Sequence, residues 1–200
     1  MKVLGAKIKK ENDVLAIKGK KSFGYSKKEI NCRESGSTLR FLIPLALLAG
    51  GQSIFLGDGR LEKRPLGPYL EIFKKQGIEY EYQNKLPLIV NGLLQPDTFE
   101  LPGNVSSQFI TGLLFALPLL AEDSKIIITG PFESRPYVDI TIDTLKQFCI
   151  EIENKEDRIF RIKGSQRYMP LNYRIEGDYS QAAFWIVAGL FGGQILCKGL

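Results

Sequence analysis

Small polar residues stand directly before three apolar stretches of the sequence, and their types suit the binding of an anion. The stretches read ESGSTLRFL from Glu34, NVSSQFITGLL from Asn104 and GDYSQAAF from Gly177. Serine, aspartate and glycine are ordinary helix N-caps, because they serve amides that no helical carbonyl can reach. The same free amides and the positive end of the helix dipole favour an anion. For each stretch taken alone, capping and anion binding both stay open.

Arginines near these stretches could supply positive charge. Arg40 falls one turn into the first stretch, on an otherwise apolar face where a cation seldom lacks a partner. Its partner is either a carboxylate such as Glu34 or an anionic ligand. Arg64 and Arg135 precede prolines in two similar turns, KRP and SRP, and are either solvated charges or forks for a carboxylate or phosphate. Gly36 either serves a tight turn or lets a ligand approach the backbone closely.

The elements that must position these residues belong to a repeat of about 72 residues, too long for a simple solenoid. Each copy reads as helix, strand, helix, strand, strand, and the prolines of the two Arg-Pro turns are expected in the first turn of the second helix. The first helix is apolar on all sides and should be buried, whereas the second is amphipathic. The apolar segments are 41–48, 109–120 and 182–190. We therefore predict an inside-out α/β barrel, with the apolar helices packed together inside the sheets.

Packing the apolar helices together would bring their N-termini to one region, which favours anion binding over mere capping. Asp178 is expected to be an N-cap, with a ligand hydroxyl as its alternative partner. The opening hairpin and the closing helix each belong to an incomplete copy. We therefore expect a protein truncated at both ends, whose apolar surfaces could drive self-association.

Composition limits the classes of partner. The formal net charge of +5 and pI near 9.0 suit small anions or nucleic acid. The basic run at 18–28 has no aromatic stacking platform, so a solvated connection is preferred and nucleic acid is not expected. Three cysteines without a CxxC pair, and no histidine, argue against a metal and for a reducing, cytoplasmic setting. Neither a dinucleotide nor an ATP motif is present, so no cofactor is expected, and the apolar runs are too short for a membrane span.

Five motifs in order resemble 5-enolpyruvylshikimate-3-phosphate synthases (3-phosphoshikimate 1-carboxyvinyltransferases): ESGSTLRFL, KRPLGP, GNVSSQFITGLL, ESRPYVDIT and IEGDYSQAAF. The resemblance implies two domains, each of three βαβαββ units. Residues 1–175 would be most of the first, N-terminal domain without its first part, and 176–200 the start of the second. It also implies transfer of the carboxyvinyl group of phosphoenolpyruvate to the 5-hydroxyl of shikimate 3-phosphate in aromatic amino acid biosynthesis, with release of phosphate.

The resemblance also implies roles for particular residues. Shikimate 3-phosphate would be held by Ser106, Ser107, Gln108, Ser134 and Tyr137. Phosphoenolpyruvate would be held by Gly36, Arg64 and Gln108. Arg40 and Asp178 are lesser candidates, with no particular ligand assigned to them. No metal or cofactor is implied.

The chain departs from the family pattern in two ways. Glu34 stands where the family often has asparagine, which places a carboxylate beside the predicted anion site. The Lys-Ser and Arg positions near the family's start, and the catalytic Asp, Lys and further arginines of its second domain, have no counterpart here. We therefore assign no catalytic residue and expect the isolated chain to be inactive. The alternatives are a UDP-N-acetylglucosamine carboxyvinyltransferase-like protein, whose cysteine-bearing loop has no evident counterpart here, and a non-catalytic binding module of the same fold.

Overall fold

The computed structural model describes residues 1–19 and 28–200. These residues divide into two compact units, Met1–Met169 and Pro170–Leu200. The boundary expected after residue 175 concerns the domains of the whole family and stays a prediction. Among the described residues, no helix combines the length and the apolar character that a membrane span requires.

The first unit opens with a two-stranded antiparallel hairpin, β1 (Lys7–Glu11) and β2 (Val14–Lys18). One complete copy of the repeat follows, and its elements are β3 (Lys28–Asn31), α1 (Gly36–Leu47), β4 (Gln52–Leu56), α2 (Gly67–Gln76), β5 (Glu79–Glu81) and β6 (Leu88–Asn91). The sheet order is β3-β4-β6-β5. Strands β3 and β4 are parallel, and β6 runs antiparallel to both β4 and β5.

The second copy repeats this topology. Its elements are β7 (Thr98–Pro102), α3 (Ser107–Ala116), β8 (Ser124–Thr129), α4 (Arg135–Gln147), β9 (Ile152–Lys155) and β10 (Ile159–Ile162). The sheet order is β7-β8-β10-β9, with β7 parallel to β8 and β10 antiparallel to its neighbours. Each copy is therefore a βαβαββ unit, and the hairpin β1-β2 matches the closing pair of such a unit. The predicted repeat is confirmed.

Burial separates inner from outer helices as the sequence predicts. In α3, Phe109, Ile110, Leu113 and Leu114 are all fully or almost fully buried, so that helix is covered on most of its faces. Helices α2 and α4 each bury one side only, in keeping with their charged outer faces. The buried side chains of both sheets and all four helices form one core. The first unit thus has its apolar helices inside and its sheets outside, an α/β architecture of the inside-out kind.

Prolines mark the outer helices differently from the prediction. Pro136 lies in the first turn of α4, as expected, because its missing amide is not needed there. Pro65, however, lies outside α2. A short 3-10 helix, Gly59–Lys63, precedes it, and Pro68 occupies the first turn of α2 instead. Arg64 therefore lies in a connection between two helices, whereas Arg135 begins a helix.

The second unit contains one helix among its residues, α5 (Tyr179–Leu190), and this helix contradicts the prediction of burial. Phe184 and Leu190 are 75% and 80% exposed, and only Ala182 is buried. Helices α1 and α3 are covered by each other, by a sheet and by an outer helix. The second unit, Pro170–Leu200, supplies none of these layers, so the apolar side chains of α5 stay exposed.

A tyrosine on α2 links the two inner helices of the first unit. Pro44 lies inside α1 and has no amide hydrogen, so the carbonyl of Arg40, four residues earlier, lacks its helical donor. The hydroxyl of Tyr69 donates to this carbonyl oxygen at 2.8 Å and shares its hydrogen with the Phe109 carbonyl of α3 at 3.1 Å. Tyr69 is only 1% exposed, and burial raises the pKa of its hydroxyl well above the usual value. The buried tyrosine therefore keeps its proton and its role as donor.

Replacement of Tyr69 by phenylalanine should leave the Arg40 carbonyl buried without a donor. We expect the free energy of unfolding to fall by about 1–3 kcal/mol, measured by urea denaturation. The same change in a Pro44→Ala background should cost less than about 1 kcal/mol, because the alanine would supply the missing amide. An equal loss in both backgrounds would show that the proline does not create the need for the hydroxyl.

Gly112 allows α3 to approach this junction. A Cβ added there would overlap the Tyr69 hydroxyl and would lie 2.5 Å from the Arg40 carbonyl oxygen. Gly112→Ala should therefore destabilise the protein by about 1–3 kcal/mol through overpacking, measured in the same denaturation experiment. Gly67→Ala is the matched control, since no atom lies within 4 Å of its added Cβ. If Gly112→Ala and Gly67→Ala change the free energy of unfolding equally, the close approach of α3 to Tyr69 and Arg40 is unimportant for stability.

Candidate functional site

Helices α1 and α3 lie side by side and begin at the same end of the unit. A Cβ placed on Gly36, the first residue of α1, would lie 3.5 Å from Oε1 of Gln108, the second residue of α3. Further along, the rings of Phe41 and Phe115 meet edge to face at 5.3 Å. The helices therefore run in the same direction, and their first turns, with amides that lack helical acceptors, open at one mouth. This part of the predicted convergence is confirmed for two helices.

Arg40 lies beneath this mouth and has neutral partners. Its Nη1 donates to Gln108 Oε1 at 2.8 Å, and its Nη2 donates to the Pro65 carbonyl at 3.1 Å. The guanidinium carbon lies 4.6 Å from the centre of the Phe109 ring, in cation–π geometry. The side chain is 6% exposed, and among the described residues its Nε has no hydrogen-bond partner. Burial, and next the positive charge of Arg64, lower the pKa of Arg40.

Arg64 reaches the mouth from the connection before α2. Its Nη1 would lie 3.1 Å from a Cβ on Gly36, so the guanidinium lies over the start of α1. The extended backbone at Arg64, with φ −71° and ψ 131°, follows the 3-10 helix and turns the chain towards α2. Within residues 1–19 and 28–200, no carboxylate pairs with Arg64 or Arg40. Two cations, one exposed and one buried, thus lie close together without a counter-charge.

Glu34 does not neutralise either arginine, so the predicted alternative of a buried pair between Glu34 and Arg40 is wrong. A Cβ on Gly59 would overlap a carboxylate oxygen of Glu34, which shows that the acid lies against that glycine. Gly59 has φ +58°, a conformation that favours glycine and leaves this space open. The physical reason is position: Glu34 precedes the N-cap and projects towards the 3-10 helix instead of towards the first turn of α1.

The predicted polar residues of α3 divide into a cap and two side chains available at the mouth. The Ser106 hydroxyl accepts from the Gln108 amide at 3.3 Å and caps the helix, as Ser35 caps α1 through the Thr38 amide at 3.2 Å. Ser107 is half-buried at the first position of α3, and its hydroxyl bonds to no other described residue. Gln108 is half-buried and is held by Arg40. The capping interpretation is therefore confirmed for Ser106, and ligand binding by Ser107 stays a prediction.

Ser134 and Tyr137 lie at the start of α4, the outer helix that contacts α3. The Thr111 and Thr141 hydroxyls join the two helices at 3.0 Å, one turn after Ser107 and Tyr137 respectively. Helices α3 and α4 both follow parallel strands of one sheet, so both begin at its carboxyl edge. Tyr137 is 65% exposed there. These two residues therefore lie at the same sheet edge as the start of α3, and no hydrogen bond or ion pair between described residues joins them to Gly36 or Arg64.

The two predicted Arg-Pro turns differ in their charge environment. Arg135 forms ion pairs with Asp157 at 2.8 Å and with Asp139 at 3.4 Å, both at the surface. The interpretation of Arg135 as an ordinary surface charge is confirmed. Arg64, at the matching point of the first copy, has no such carboxylate within residues 1–19 and 28–200. The two arginines are therefore a natural pair for comparison.

Asp178 belongs to the second unit, where it caps α5. Its carboxylate accepts from the amides of Ser180 at 2.8 Å and Gln181 at 3.2 Å, which confirms the N-cap. A ligand role for Asp178 stays a prediction. Most of the basic run at 18–28 lies outside the described residues.

Another groove, of about 1050 Å³, lies at the opposite end of the second sheet from the mouth. Its walls come from the amino ends of β7, β8 and β9 and from the carboxyl end of β10. They carry mixed charges, including Asp97, Lys125, Glu153 and Arg161. None of the predicted site residues lines it. Within the described ranges, no cluster of three or more acids and cysteines is suited to a metal.

Sequence reasoning missed the residues that support the mouth from below. Tyr69 and Gly112 are buried and are not among the predicted site residues, yet they fix the spacing of α1 and α3. A glycine in the middle of a buried apolar helix and a proline in the other helix were the available signals. The contact between Arg40 and Gln108 had no local signal, because the two residues are 68 positions apart.

The fold and the mouth together define a class: an α/β protein of repeated βαβαββ units whose inner helices begin at one mouth, beside two arginines. A family model for EPSP synthase (3-phosphoshikimate 1-carboxyvinyltransferase) matches residues 1–200. The chain belongs to this family, the first of the two enolpyruvyl transferase families considered above.

Relatives and solved structures agree with the family model. The 3-phosphoshikimate 1-carboxyvinyltransferase of Clostridium perfringens strain ATCC 13124 is 52% identical over 202 residues, covering 100% of this chain and 48% of the relative. That of Clostridioides difficile strain 630 is 49% identical over 206 residues, covering 98% of this chain and 47% of the relative. An EPSP synthase structure from Acinetobacter baumannii has a TM-score of 0.70 at 18% identity, covering 94% of this chain and 42% of that one, and shares the fold. The chain spans about half the length of the curated relatives it matches.

Gly36→Ala tests the geometry of the mouth. The added methyl would lie 3.1 Å from Arg64 Nη1, a flexible group that can move away, so we expect the free energy of unfolding to change by less than about 1 kcal/mol. The displaced guanidinium should weaken binding of inorganic phosphate about tenfold, measured by calorimetry. Gly67→Ala, at the start of α2, is the control and should leave phosphate affinity unchanged. Equal affinities for all three proteins would contradict this placement of Arg64.

Proposed function

We propose that this chain forms the part of a 3-phosphoshikimate 1-carboxyvinyltransferase that holds the anionic groups of its two substrates. The reaction joins the 5-hydroxyl oxygen of shikimate 3-phosphate to the carboxyvinyl carbon of phosphoenolpyruvate and breaks the bond between that carbon and the phosphate oxygen. Phosphate leaves with the electron pair of the broken bond, and the hydroxyl proton must be taken up. No acid or base for that proton transfer is assigned among these residues.

The observation that carries the proposal is the pair of uncompensated arginines at the mouth. Like charges in a partly buried site repel each other, and an anion between or beside them would relieve this repulsion. The first turns of α1 and α3 add amides and dipoles of the same sign. A substrate with a phosphate and a carboxylate matches such a site, because an arginine fork binds either group bidentately.

The residues predicted from the sequence can be assigned to the two proposed substrates. We propose Gly36, Arg64 and Gln108 as the binding site for phosphoenolpyruvate. The residues proposed for shikimate 3-phosphate are Ser106, Ser107, Gln108, Ser134 and Tyr137. The hydroxyls of half-buried Ser134 and exposed Tyr137 at the start of α4 could reach a ligand too long for the mouth alone. For Asp178, in the second unit, the proposed role is acceptance of a ligand hydroxyl through its second oxygen, which the N-cap bonds leave open.

The remaining predictions concern setting and partners. We place residues 1–175 in the first domain of the family fold and residues 176–200 in the second. The free cysteines and the anionic metabolites support a cytoplasmic setting. Small-molecule substrates are the proposed partners, without nucleic acid or membrane. Self-association through the exposed apolar side chains of α5 stays a prediction, which sedimentation of the chain would test.

Arg64→Met tests the proposed function, with Arg135→Met as its matched control. Both changes remove a guanidinium that precedes a proline, but Arg135 is already paired with aspartates. We expect Arg64→Met to weaken phosphoenolpyruvate binding about tenfold or more, measured by calorimetry in the presence of shikimate 3-phosphate. Arg135→Met should change it less than about twofold. Similar losses of phosphoenolpyruvate affinity in both variants would indicate attraction by the overall positive charge of the protein instead of a specific site.

Turnover gives a second test. The chain joined to the remaining half of the Clostridium perfringens relative should release phosphate from phosphoenolpyruvate only when shikimate 3-phosphate is present. The unjoined chain should release none, because it has no assigned acid or base. Turnover by the unjoined chain would refute that assignment, and a joined protein that binds a uridine sugar in place of shikimate 3-phosphate would refute the proposed substrate.

A further inference from the structure

We propose that Arg40 is a positioning residue, which holds the side-chain amide of Gln108 so that its NH₂ group is presented to the bound anion. This inference rests on the proposed function of the mouth. It differs from the direct ligand role predicted from the sequence, since Arg40 would act through Gln108 and not on the substrate. The proposal assigns the substrate contact to the glutamine and the orientation of that contact to the arginine.

The chemistry of the two groups fixes the orientation. A glutamine amide has one end that accepts hydrogen bonds and one that donates them, and an anion can use only the donor. Arginine has donors and no acceptor, so the atom 2.8 Å from Arg40 Nη1 must be the carbonyl oxygen of Gln108. The NH₂ group lies on the other side of the amide carbon and therefore points away from Arg40. Without the arginine, either end of the amide could face the mouth.

Arg40 itself is held from three directions. Its Nη2 donates to the Pro65 carbonyl, its guanidinium lies over the Phe109 ring, and its own carbonyl receives the Tyr69 hydroxyl. These contacts come from the connection before α2, from α3 and from α2. A long side chain that is fixed in this way loses little further freedom when it orients a neighbour. The rigid arginine can therefore hold a half-buried glutamine in one of its two orientations.

Burial argues against direct contact of Arg40 with a substrate. Its side chain is 6% exposed, each terminal nitrogen already has a neutral acceptor, and Nε is buried. The exposed Arg64 over Gly36 is the guanidinium that a ligand would meet. The two arginines thus have different roles. Arg64 binds the anion directly, and Arg40 orients the Gln108 NH₂ group that donates to the same anion.

A double-mutant cycle separates this role from a direct one. The 200-residue chain, Arg40→Met, Gln108→Ala and the double variant are titrated with phosphoenolpyruvate, well below the unfolding midpoint of every variant. We expect each single change to weaken binding about tenfold, and Arg40→Met to add less than about threefold once Gln108 is replaced by alanine. Effects that multiply would show that Arg40 meets the ligand itself and would overturn the proposal. If the loss of phosphoenolpyruvate affinity in each variant merely parallels the fall in its thermal unfolding midpoint, Arg40 has only a structural role. That result would also overturn the proposal.

A ligand-free measurement distinguishes this proposal from the function on which it rests. The NMR signals of the Gln108 side-chain NH₂ group, assigned by their loss in Gln108→Ala, should shift in Arg40→Met, whereas Arg135→Met should leave them in place. If they shift and the unaltered chain binds neither phosphoenolpyruvate nor phosphate, the orientation is supported but the proposed function fails. If Arg40→Met leaves the signals unchanged, the positioning role is refuted whatever the affinity.

Discussion

The structure depends on one carbonyl group in α1. Pro44 deprives the Arg40 carbonyl of its helical donor, and Tyr69 supplies the missing hydrogen from another helix. Because an unpaired carbonyl in a core is costly, this bond couples the interior of α1 to α2 and, through Phe109, to α3. Gly112 leaves the space in which the three helices can meet. The relative position of the two helix N-termini at the mouth follows from this junction.

The same junction explains how a cation can be buried without a carboxylate. Arg40 is attached to the backbone that Tyr69 holds, and its guanidinium is met by an amide oxygen, a backbone carbonyl and an aromatic ring. These neutral partners offset part of the free-energy cost of desolvating the guanidinium, but they do not neutralise its charge. The positive field therefore remains available at the mouth, where Arg64 adds to it. A carboxylate partner for Arg40 would have neutralised this positive charge.

Repetition supplies the framework, and departures from it supply the site. Both inner helices have a serine cap, and each carries a buried polar residue at the same distance from its cap, Arg40 in α1 and Thr111 in α3. Thr111 pairs with a hydroxyl of α4, whereas Arg40 reaches across to α3. Likewise Arg135 is paired by aspartates and Arg64 is not. These differences between the copies leave two arginines at the mouth without a carboxylate partner among the described residues.

The sequence by itself determined the repeat, the order of its elements and the division into inner and outer helices. These properties follow from the spacing of apolar residues and glycines, which is read within each segment. It also located the residues of the mouth, but not the partner of Arg40, the contrast between Arg64 and Arg135, or the exposure of α5. Those depend on which distant segments pack together, as Gln108 and Tyr69 do with Arg40. Only the tertiary structure decided them, because the energy of a buried polar group is set by its neighbours in space and not by its neighbours along the chain.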